Sequence, residues 1–259
     1  MAKSLGVLVL SAITVHLVYI GYIRPQASLV MAAAMHAGQS APRDIFIILK
    51  DYEQEICIIL MLWAGFLILS KITAILKHRY LFTVDLLEGT QGNGGDLESA
   101  LSNLEALPVE TRETPLLEAL MSSLRRYLIT SDVQNTSDAV ETSVEALAIR
   151  QEAGNSMIRY LIWAIPSIGF IGTVRGIGGA LALADQALAG NISGMTNNLG
   201  LAFNSTLVAL LISILLMFLL HQLQQLQDGL VVDTQAYCEK FLLKRISSLE
   251  HSGQDAGNE

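Results

Sequence analysis

Four apolar runs divide the chain, at residues 4–23, 56–76, 157–183 and 199–220. Each is close to the ~20 residues that a helix needs to cross hydrocarbon. Each is predicted to be helical, because lipid offers no partner for an unpaired backbone group. Between the second and third runs lies a polar stretch, 84–156, with its own helical pattern. Gly89 to Gly95 form a glycine-rich break, after which Asp96 caps a run carrying Leu97, Leu101 and Leu104. Pro108 ends that helix, and Leu116, Leu117, Leu120 and Leu124 mark a second. A third begins near Ser137 or Asp138 and meets no breaker except Gly154, which predicts one long helix running on into the third span. Beyond Leu220 a stripe of Leu223, Leu226, Leu230, Tyr237, Phe241 and Ile246 extends the fourth helix, and a polar tail from His251 is predicted to be disordered.

The pattern describes an all-α integral membrane protein with about four transmembrane helices, the last two extended into the cytoplasm. Residues 1–55 form an N-terminal anchor, or signal-like span, with an outer segment in which 27–36 is a short helix. Residues 56–83 form the second transmembrane helix and 84–156 a cytoplasmic helical region, read as a collar on the bundle rather than a partner surface. Residues 157–220 hold the paired spans of the channel wall, and 221–259 a cytoplasmic helix and tail.

The third run differs from a plain anchor. Residues 163–182 contain Pro166, Thr173, Arg175 and five glycines: Gly169, Gly172, Gly176, Gly178 and Gly179. Glycines at this density admit a second helix at close range, and polar groups at membrane depth face protein or an ion path. Pro166 removes a backbone donor, which predicts a kink and a free carbonyl one turn back. In the fourth span, Asn198, Ala202, Thr206, Ala209 and Ser213 recur at helical steps as a small and polar stripe, flanked by Asn204 and Ser205. Thr173 and Thr206, with Ser205 and Asn204, are the candidate lining of a wet path. The competing expectation is that these hydroxyls bond their own helix carbonyls, which is the expected role of Ser213. Arg175 cannot face lipid, and Asp185 is about 15 Å further along the helix. Its expected partner is another subunit, a partner protein or a helix C-terminus. The spans at 4–23, 56–76, 157–183 and 199–220 contain no central Asp or Glu, so a titrating group for ion flow is expected from another polypeptide.

Composition agrees with a membrane protein: 52% hydrophobic, 15% charged, mean hydropathy +0.47. A net charge of −8 gives nucleic-acid binding no support. Lys and Arg flank the runs unevenly. A cytoplasmic N-terminus puts Lys3, Lys71, Lys77, Arg79, the 84–156 arginines, Lys240, Lys244 and Arg245 inside, with only Arg24, Arg43 and Lys50 outside. The first run reads as an uncleaved anchor rather than a cleaved signal peptide, and His16 within it as a packed helix residue. The two cysteines, Cys57 and Cys238, lack metal spacing, as do the histidines, so no metal and no cofactor is expected. Gly176-Ile177-Gly178-Gly179 lies in a span and not after a soluble strand, so it is no dinucleotide loop. No catalytic motif supports an enzyme.

The segment from Pro166 through Gly169-Phe170-Ile171-Gly172-Thr173-Val174-Arg175-Gly176 resembles a signature of the MotA/TolQ/ExbB proton channel family. Ala202-Phe203-Asn204-Ser205-Thr206 is similar to that family's A-L-x-[TA]-T segment, and the resemblance covers roughly residues 56–245. It implies a homopentamer in a bacterial inner membrane, working as the channel-forming subunit of a motor driven by H⁺ or Na⁺. It also implies a single-span partner like TolR, ExbD or MotB, whose membrane Asp carries the ion past Thr173 and Thr206. Leu201 stands where ExbB-like and TolQ-like members carry a Glu, and the N-terminal span is additional to the ExbB plan.

Overall fold

The computed structural model describes residues 2–36, 44–87 and 94–247. Most of the glycine-rich break and the tail from His251 lie outside them. The described residues form helices joined by turns and short irregular links, with no strand among them. In chain order the helices are α1 (Ala2–Val18), α2 (Arg24–His36), α3 (Ile45–Leu49), α4 (Tyr52–Lys77), α5 (Gly94–Glu105) and α6 (Val109–Arg112). They continue as α7 (Pro115–Thr130), α8 (Val133–Gly154), α9 (Ser156–Leu181), α10 (Ala184–Leu188) and α11 (Ser193–Tyr237). Four helical stretches are long and apolar enough to cross a membrane: Lys3–Ala34, Tyr52–Thr83, Val133–Leu181 and Ser193–Ser247. The chain divides into two compact units, 1–70 with 156–222, and 71–155 with 223–259.

In the first unit, the N-terminal helix does not stop at Ile23. A π turn, Tyr19–Ile23, joins α1 to α2, and the Arg24 N–H reaches back to the Tyr19 carbonyl. The wider turn accommodates Pro25, which lacks an N–H, so the chain stays helical where the sequence suggested an end. Likewise α4 begins at Tyr52 rather than Ile56, and takes Glu53 and Glu55 into its first turn. Carboxylates there face the positive end of the helix dipole. The buried face of α9 is Ile158, Ile162, Ile165, Gly169, Gly172, Gly176 and Ala180, spaced by threes and fours. It meets α11 at Ala202, Ser205 and Ala209.

The second unit has a conventional leucine core. Leu97, Leu104, Leu116, Leu117, Leu120 and Leu124 are buried with Tyr237, Cys238, Leu242 and Ile246. Pro115 opens α7 and Ser131 closes it in the left-handed conformation, φ 48°. Asp132 caps α8 by accepting from the Gln134 N–H, so this helix starts earlier than Ser137. It is interrupted at Asn155, where one continuous helix was expected. The buried Asn155 amide donates to Gln227 at 2.6 Å. Tyr237 donates to the Val84 carbonyl and accepts from the Leu86 N–H, both at 2.8 Å, tying the segment after α4 to α11.

Candidate functional site

The glycines of α9 set how closely α11 can approach. A Cβ on Gly176 would lie 2.6 Å from both the Ala202 nitrogen and the Asn198 carbonyl oxygen. One on Gly169 would lie 2.5 Å from Ala209 Cβ, and one on Gly172 at 2.5 Å from Ser205 Cβ. Only hydrogen fits at these three positions, and they recur at three- and four-residue steps along one face.

Close approach brings the hydroxyls together. Thr173 and Thr206 are half-buried and hydrogen-bonded to each other. Thr173 also lies 3.1 Å from the Ala202 carbonyl and 3.3 Å from the Gly169 carbonyl, and Thr206 lies 3.3 Å from that same Gly169 oxygen. The pair therefore sits on two backbone acceptors, one from each helix. Ser205 is buried, donates to the Leu201 carbonyl at 2.8 Å, and accepts from Gln54 Nε2 at 3.4 Å. Asn204 is half-buried next to it.

Pro166 lies inside α9, and Ile162 is the residue whose carbonyl it deprives of a helical donor. That carbonyl is not left free. The buried Ser213 hydroxyl of α11 donates to it at 3.0 Å. Ser213 thus bonds across the helix pair rather than to its own helix, contrary to the sequence expectation. Its four-residue spacing made both outcomes possible, and only the position of Ile162 opposite it decides.

One further expectation is overturned at the start of α4. Arg175 pairs within the chain, with its Nη2 2.8 Å from Glu53 Oε2. The first turn of this membrane-length helix also carries carboxylates, although its middle has none. Glu53, Gln54 and Glu55 are consecutive and all buried, and each leaves in a different direction. Glu53 meets Arg175 on α9, Gln54 meets Ser205 on α11, and Glu55 meets His16 on α1 at 2.6 Å and Arg24 on α2 at 2.5 Å. Sequence reading missed them because it ended the apolar run at the first charge.

Among the described residues no cluster of His, Cys, Asp and Glu is arranged to hold a metal. The fold and the paired spans define an all-helical, multi-pass membrane protein whose third and fourth spans share a hydroxyl contact. Residues 111–236 match the MotA/TolQ/ExbB proton channel family. The match includes every candidate residue on α9 and α11 and excludes α1 to α4. No curated protein and no solved structure matches the chain.

Proposed function

We propose that the chain is the channel-forming subunit of an ion-driven inner-membrane motor in bacteria, passing H⁺ or Na⁺. In this reading it assembles as a homopentamer with a cytoplasmic N-terminus. The extensions of its last two spans lie in the cytoplasm. A single-span TolR-, ExbD- or MotB-like partner with a membrane Asp carries the ion past each subunit. The observation that carries the reading is the contact of Thr173 with Thr206 between two membrane-length helices of the family-matched region. A hydroxyl pair can pass hydrogen bonds to a carboxylate that moves by, while carrying no charge of its own.

One observation favours the alternative of a non-conducting oligomeric scaffold. Both hydroxyls also bond backbone carbonyls, as purely structural threonines do. Thr206→Val separates the two. The motor predicts that the variant assembles normally, co-purifies with its partner from native membranes, and loses ion-driven activity. The scaffold predicts an unchanged phenotype and a homo-oligomer without a single-span partner.

A further inference from the structure

Glu55 is the most heavily engaged acid of the first unit, and none of its partners belongs to the family-matched region. Its Oε1 lies 2.6 Å from His16 Nδ1 and its Oε2 lies 2.5 Å from Arg24 Nη2. The Arg24 guanidinium lies over the Tyr52 ring at 4.3 Å and the Tyr19 ring at 5.8 Å. His16 and Tyr19 are three residues apart, so they share one side of the N-terminal helix. Tyr19 is only 1% exposed, yet its hydroxyl has no hydrogen-bond partner among the described residues. A buried hydroxyl without a partner is uncommon, and points to a water or similar small polar species beside it.

The surrounding charges are already matched. Lys50 and Asp51 pair at 2.9 Å, and Glu53, in the same first turn of α4 as Glu55, is taken by Arg175. Arg24 balances Glu55. Histidine is the side-chain type in this group whose charge ordinarily changes near neutrality. With Nδ1–H donated to Glu55, its Nε2 is a free acceptor. An ionisable residue at membrane depth, held by a buried carboxylate, is more than a packing residue needs.

We propose that His16, Glu55, Arg24 and Tyr19 form a proton-binding site of this chain's own, separate from the threonine pair. A proton adds at His16 Nε2 and leaves from the same atom, and no other bond changes. Only the consequence for ion flow rests on the channel reading; the binding does not.

The test is ¹⁵N NMR of the full-length protein, labelled at histidine, in lipid bilayers between about pH 5 and 8. The signal absent from H16Q identifies His16 among the five histidines. The expected result is a reversible change of that signal across the range, with a midpoint that E55Q displaces. Should E55Q fail to fold, R24Q serves, since it strips the other oxygen of Glu55 of its cation. A His16 signal that is constant across the range overturns the proposal, as does one whose midpoint neither variant moves. His16 would then be a strut between α1 and α4. A protein that titrates at His16 but passes no ions keeps this site and loses the channel reading.

Discussion

At the scale of single residues, the glycines of α9 are not equivalent, although the sequence shows them as one dense cluster. Gly176 faces backbone atoms that cannot turn aside, whereas nothing lies within 4 Å of a Cβ placed on Gly178. Gly176→Ala should therefore push α11 away and destabilise the solubilised protein by about 1–3 kcal/mol. Gly178→Ala should be neutral or slightly stabilising, since alanine is the better helix former. Thermal unfolding in detergent of the two variants side by side measures this difference. The distinction was not legible in the sequence, because spacing places Gly172 and Gly176 on a face but does not say which face meets a helix. Arg175 shows the same limit. Its need for a partner could be read from burial in a span, but Glu53 lies 122 positions away.

At the scale of elements, the four spans were legible because length and apolarity are local properties. Their ends were not. The first helix passes Pro25 through a π turn, and α4 starts four residues before its apolar run, because Glu53 and Glu55 find cations on other helices. The α9–α11 pair allows a direct energetic test. Ser213→Ala should strand the Ile162 carbonyl and cost on the order of 1 kcal/mol. Pro166→Ala restores a backbone N–H to that carbonyl. The double variant P166A/S213A should then lose less than S213A alone, a non-additivity that a double-mutant cycle reads in unfolding midpoints. Strict additivity would mean that the serine and the carbonyl are not coupled.

At the scale of the whole molecule, the single chain exposes much apolar surface, including Phe170, Phe203, Leu210 and Ile214 on the paired spans. A surface of this kind requires lipid or further protein around it. The proposed orientation can be checked through single-cysteine labelling, since Cys57 and Cys238 are both buried and should react slowly. A cysteine at Asn191, an exposed position between α10 and α11, should react with an impermeant thiol reagent in intact cells. One at Ile129, exposed near the end of α7, should react only after the membrane is opened. The reverse pattern would invert the topology.

The bond from Ser213 to Ile162 also bears on how the chain enters the membrane during synthesis. When α9 emerges, α4 is already made, so Arg175 can find Glu53 waiting for it. The Ile162 carbonyl has no such luck, because its donor sits on a helix not yet translated. Inserted alone, α9 would expose to lipid both an unpaired carbonyl and a bare glycine groove, a poor state for any helix to wait in. Only residues 182–192, through α10, separate α11 from α9. The two helices are thus built to be handed to the bilayer as a hairpin, with the later strand of synthesis completing the earlier one.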